Sequence, residues 1–193
     1  NPHLKFSLAS ALGVGVVSYT EFVEIELAEP MEVEKAALAL EAALPRGIRV
    51  LAADAVDTHH AALMSQAAGA SYRVTLPYSK DVSAAVAEFN AAPELLFKKA
   101  APKTKAKFKE IDVKFYIPQL TAEQTETETI FSFDCKITPT GSMKAVDLLN
   151  ALNEQYGLAL PVEMADIERL RLYRNNKNGK PIPMLNSDAV TLG

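Results

Sequence analysis

Phe22-Val23-Glu24-Ile25-Glu26-Leu27 alternates apolar and acidic residues, the period-2 mark of a half-buried strand, and predicts Val23, Ile25 and Leu27 facing inward. A shorter strand is expected over 5–8, after Pro2 holds the chain extended. From 31 to 44, Val33, Ala37, Leu40 and Leu44 recur at three- and four-residue spacing, an amphipathic helix stopped by Pro45 and Gly47. A return strand over 48–56 follows. Residues 61–68 suggest a short helix capped by Asp57 or Thr58 and ended by Gly69.

The second half opens with a β-branched and aromatic strand over 71–76, then a helix over 79–90 with Val82, Val86 and Phe89 inward. Leu95-Leu96-Phe97 leads into a lysine arm over 100–107 with no large apolar residue, expected as a hairpin tip. Phe108 starts a strand running to Ile117, with Ile111, Val113, Phe115 and Ile117 on one face and Glu110, Asp112, Lys114 and Tyr116 on the other. Residues 120–129 are polar and predict turns. Alternation resumes over 130–137 and 167–174, flanking a helix over 143–156 that Ser142 caps and Gly157 ends. Residues 1–69 thus give β-β-α-β with a joint, 70–175 give β-α-β-β-β-α-β, and 176–193 form a polar tail. The fold class expected is α+β, two ferredoxin-like α/β sandwich halves, the first incomplete at its N-terminus.

Composition adds limits. At 193 residues and 49% hydrophobic content the chain can bury a core, and no run approaches the roughly 18 apolar residues of a membrane helix, so no membrane partner is expected. One cysteine, Cys135, excludes an internal disulfide, fits a reducing cytoplasm, and cannot hold an iron–sulfur cluster. It falls in phase with Phe131, Phe133 and Ile137, so it reads as a small core residue.

The net charge of −4 conceals segregation. Residues 19–34 hold Glu21, Glu24, Glu26, Glu29, Glu32 and Glu34 with no base, whereas 98–114 hold Lys98, Lys99, Lys103, Lys105, Lys107, Lys109 and Lys114 against Glu110 and Asp112.

The opening residues, Asn1-Pro2-His3, then Lys5, Ser7 and an apolar run ending Val14-Gly15-Val16, resemble the bacterial family of radical SAM-linked proteins. That is a domain of unknown function encoded beside or fused to a cobalamin-binding radical SAM protein. Looser similarity covers Glu24-Ile25-Glu26-Leu27, Leu44-Pro45 and Ile111-Asp112-Val113-Lys114. Leu4, Ser10 and Gly13 stand where the family has proline, and Ala9 where it has glycine. The resemblance implies a radical SAM protein as partner. It also implies a start further upstream than Asn1, so a partial form is expected.

Catalytic chemistry finds little support. The adjacent His59 and His60 lack a Cys, Asp or Glu at helical spacing to share a metal, and Gly13-Val14-Gly15 reads as a turn before a phosphate cradle. Gly141-Ser142 at a helix N-terminus is a possible anion site. No cofactor, metal or catalytic residue is assigned. The residues taken to bind substrate or partner are His3, Lys5, Ser7, Lys103, Lys105, Lys107, Lys109, Lys114 and Tyr116. The function expected is an accessory module that binds substrate, with RNA favoured because lysines would contact phosphates and Tyr116 could stack on a base, and with no DNA expected. The alternatives are a protein-docking module acting through 19–34, and a small enzyme using His3 with Lys5 or Ser7.

Overall fold

The computed structural model describes residues 5–57, 59–100, 107–186 and 188–192. In chain order the elements are β1 (Phe6–Leu8), β2 (Val16–Ser18), β3 (Val23–Ile25), α1 (Val33–Ala43), β4 (Ala52–Ala53), α2 (Leu63–Gln66) and β5 (Gly69–Leu76). Then come α3 (Ser83–Ala91), β6 (Leu96–Ala100), β7 (Phe108–Asp112), α4 (Val113–Tyr116), β8 (Thr121–Gln124) and β9 (Thr129–Thr138). Last are β10 (Gly141–Ser142), α5 (Ala145–Tyr156), β11 (Asp166–Asn175), β12 (Pro181–Pro183) and β13 (Val190–Thr191). The described residues therefore make a mixed α+β protein with five α-helices and several sheets.

The main sheet is built on three long antiparallel strands in the order β9-β5-β11. Register puts Val74 between Phe131 and Ile167, Tyr72 between Phe133 and Arg169, and Ala70 beside Cys135. Alternation then carries these side chains to one face. Over it, Val82 at the N-cap of α3, Phe89 within α3, and Leu148, Leu149 and Leu152 of α5 close the core. Tyr72 and Phe133 stack with ring centroids 5.5 Å apart. Cys135 is buried as its phase predicts, and burial pushes its thiol up to about 11. The opposite face is polar, with Ser71 donating to Asp134 and Arg171 Nε donating to Ser71 Oγ at 2.9 Å.

Both edges of this trio are covered in two pieces. β8 and β10 pair with the two ends of β9, while β2 runs parallel to β11 at Ile167–Arg169 and β12 runs antiparallel at Tyr173–Asn175. A register shift between Arg169 and Arg171 separates the two pairings on β11. Gly69 admits the Tyr173 ring, whose hydroxyl would lie 2.2 Å from any Cβ added there. It opens β5 instead of ending a helix, since α2 stops at Gln66.

Several expected elements differ. The strand expected over 108–117 breaks at Asp112, whose Oδ1 accepts from Lys114 N at 3.0 Å and from Leu95 N at 3.2 Å, starting α4. Val113 and Ile117 sit four apart, so one helical turn buries both as well as alternation would. Residues 121–124 are a strand because Thr121 to Gln124 pair with Ser132 to Thr129. Gly141 (φ 120°) and Ser142 form a strand, and Lys144 in place of the expected Ser142 occupies the N-cap of α5, so the possible anion site is not at that helix start. The return strand shrinks to β4, which pairs with β13 in the tail. Asp57 accepts from His59 N and caps no helix, and Thr58 lies outside the described residues.

In the first third, β1 and β3 form a separate two-stranded ribbon. Ser7 and Glu24 share its polar face, and Glu24 Oε2 accepts from Leu63 N at 3.3 Å and His60 Nε2 at 3.0 Å. These polar contacts fasten that face to the chain. Val23 and Leu27, expected inside, are consequently exposed.

Candidate recognition surface

β6 and β7 make an antiparallel hairpin running from the pair Leu96 and Asp112 to the pair Ala100 and Phe108. Alternation turns Phe97, Ile111, Lys99 and Lys109 to one side and Leu96, Lys98, Glu110 and Phe108 to the other. The first side is anchored: Phe97 enters the core, and Lys99 Nζ reaches Asp147 Oδ2 at 2.5 Å. Asp147 lies in the first turn of α5, where the helix dipole favours a carboxylate. The second side faces solvent, with Phe108 59% exposed beside Lys98; Lys107 at the tip and Lys109 on the first side are exposed too. Phe115, in α4 just past the hairpin, is exposed as well, and Lys136 Nζ lies 5.3 Å from its ring centroid.

The residues singled out from sequence are not gathered in one place. His3, Lys103 and Lys105 lie outside the described residues. Lys5 Nζ pairs with Glu26 Oε1 at 2.9 Å on the β1–β3 ribbon, and Ser7 is half-buried across from Glu24. Lys107 and Lys109 are on the hairpin. Lys114 and Tyr116 are in α4, not on a strand face: Lys114 Nζ donates to Pro118 O at 2.5 Å and covers the Phe89 ring at 4.4 Å. Partial burial pulls the Lys114 pKa down. Tyr116 packs against the core, edge-on to Phe115. The aromatic surface near the lysines is therefore Phe108 and Phe115.

One charged cluster escaped the sequence. Arg169, on the inward face of β11, is 1% exposed. Its Nε donates to Glu21 Oε1 at 2.8 Å and its Nη2 to Glu21 Oε2 at 2.5 Å, a two-point pair. Nη2 also donates to Ser10 O at 3.2 Å, and Nη1 lies 3.4 Å from Ala11 O and Ser10 Oγ. The guanidinium thus fastens residues 10–21 to the main sheet. Gly15 (φ 82°) forms the turn between them, with Val16 N donating to Gly13 O at 3.2 Å. The available signal was the phase of Arg169 with Ile167, which demanded a carboxylate partner.

His60 has acceptors at both ring nitrogens, the Asp57 carbonyl at Nδ1 and Glu24 Oε2 at Nε2, an arrangement that favours the protonated ring, in which both nitrogens donate. The Asp57 carbonyl first, and Glu24 second, raise its pKa above 6.5. The neighbouring titratable groups are Glu24, Asp57 and His59. Because the folded value is raised, this tie is fully present below pH 6.5 and is lost as pH rises through the folded value. NMR titration should place the His60 midpoint above 6.5, and Glu24→Gln should lower it; a wild-type midpoint at or below 6.5 would refute the arrangement. Among the described residues no three His, Cys, Asp or Glu side chains gather to hold a metal ion, and no helix is long and apolar enough to cross a membrane.

Fold and surface define a mixed α+β protein whose main antiparallel sheet carries an anchored hairpin with basic and aromatic side chains facing outward. The chain belongs to an uncharacterised protein family conserved in bacteria, DUF2344, whose model matches residues 1–147. The matched stretch ends inside α5, so β11 and Arg169 lie beyond it. Comparison with the curated proteins finds no match.

Proposed function

We propose that this chain is a recognition module without a reaction centre of its own, which binds RNA through the β6–β7 hairpin. The observation that carries the reading is the outward side of that hairpin, where Lys98 accompanies the exposed ring of Phe108, while Lys107 and Lys109 are exposed elsewhere on the same ribbon. Lysines release counterions from a phosphate chain, and an aromatic ring stacks on an unpaired base. The anchor from Lys99 to Asp147 holds the ribbon in place, which lowers the ordering cost of binding. Lys103 and Lys105 follow in the connecting sequence and add to the positive charge. The radical SAM-linked resemblance supplies the setting: an accessory to a cytoplasmic radical SAM protein that presents the substrate. The order β11-β5-β9-β8, with α3 and α5 as the crossovers, supports reading residues 70–175 as a ferredoxin-like half into which the hairpin and α4 are inserted.

Anisotropy titration of labelled single-stranded RNA at two salt concentrations tests this. Affinity should fall with salt, and Lys98→Ala with Lys109→Ala should reduce the log–log slope by about 0.7 for each phosphate no longer neutralised. Phe108→Ala should cost about 1–3 kcal/mol with the slope kept. Absent binding at low salt, or variants indistinguishable from the wild type, would sink the reading.

A second reading, docking of a partner protein through residues 19–34, is favoured by the apolar face of the β1–β3 ribbon, which is turned to solvent.

A further inference from the structure

The β1–β3 ribbon has its polarity reversed relative to the rest of the molecule. Its polar face, with Ser7 and Glu24, turns toward α2 through the contacts of Glu24 with His60 and Leu63. Its other face pairs Phe6 with Ile25 and Leu8 with Val23. Phe6 is 58% and Val23 46% exposed, and Leu8 is exposed beside them. The apolar run continues through Leu27 and Met31, both exposed, toward α1. Contiguous apolar surface of this kind is unfavourable in water and marks an interaction site.

The charge around it selects the occupant. Glu29, Glu32 and Glu34 are exposed and lie within three residues of Leu27 or Met31 along the chain. Residues 19–34 carry six glutamates and no base, and among the described residues it is Glu21, Glu24 and Glu26 of these that form ion pairs. A second copy docking face to face would set this same acidic rim against itself, a like-charge arrangement that disfavours self-association. A partner with apolar side chains flanked by lysine or arginine satisfies both features.

We propose that the apolar face of the β1–β3 ribbon, with the rim formed by Glu29, Glu32 and Glu34, docks a basic amphipathic segment of another protein. The proposal rests on the docking reading and adds the chemistry of the partner. Apolar burial supplies the attraction, and the glutamates fix orientation and reject acidic or uncharged competitors.

The test uses the full chain and three labelled synthetic peptides that alternate leucine with lysine, with serine or with glutamate, followed by anisotropy. The leucine–lysine peptide should bind at least about tenfold tighter than either control, as a few rim charges would supply. Glu29→Lys with Glu32→Lys, both at exposed positions that leave the core untouched, should reverse the preference toward the leucine–glutamate peptide. Leu8→Ser with Val23→Ser should abolish binding while thermal melting confirms that the main sheet remains folded. Equal binding of all three peptides would overturn the basic partner and keep the docking surface. No binding by any peptide would overturn both, and self-association abolished in the Leu8 and Val23 variant would assign the face to a second copy.

Discussion

Arg169→Ala is expected to lower stability by about 2–3 kcal/mol, read as a drop in the urea midpoint with a nearly unchanged slope. Among the described residues the guanidinium is the one buried cation in the core, and its removal leaves Glu21 and the carbonyls of Ser10 and Ala11 without their donor. Glu21 keeps 31% of its side chain exposed and can turn to water, so the loss comes mainly from the vacated guanidinium site and the carbonyls that it satisfied. Arg169→Met with Glu21→Gln should therefore recover much of the loss, and the double-mutant cycle should give a coupling of about 1–3 kcal/mol. Limited proteolysis should also cut residues 10–21 faster in Arg169→Ala than in the wild type. A single variant within about 0.5 kcal/mol of the wild type would mean that the pair contributes nothing.

Phe131→Ala should cost about 3–5 kcal/mol. Phe131 is fully buried, sits opposite Val74 on β5, and packs within the cluster that α3 and α5 close over the sheet. Deleting its ring leaves a void bounded by strands on both sides, which close-packed neighbours can fill only in part. Phe131→Leu keeps most of the volume and should cost less than half as much. Equal losses for the two substitutions would place the ring outside the core.

The Phe131 effect falls where the sequence was most legible. β5, β9 and β11 were readable because each alternates over a long stretch, and alternation fixes which residues share a face. Cys135 followed from the same phase. The reading failed where two periods coincide. Val113 and Ile117 are spaced for one face of a strand and also for one face of a helix, and Asp112, able to cap, decided for the helix. That decision took Lys114 and Tyr116 off the imagined strand face and left Phe108 and Phe115 as the exposed rings. In the ribbon, alternation identified two faces correctly but gave no information on which one the remainder of the chain would meet. Arg169 was hidden for a related reason. Its partner Glu21 lies 148 residues away in sequence, and no local pattern links them. The short strands β2, β12 and β13 carry too few residues for any period, and their pairing is decided by long strands already in place.

The divided edge of β11 bears on whether a foreign strand can add to the main sheet. An uncovered run of amides and carbonyls at the margin of a sheet is a template onto which another chain can add. Here that margin is guarded by two pickets from opposite ends of the sequence, Val16–Ser18 and Pro181–Pro183, the second carrying prolines at both of its ends, which have no amide to offer a newcomer.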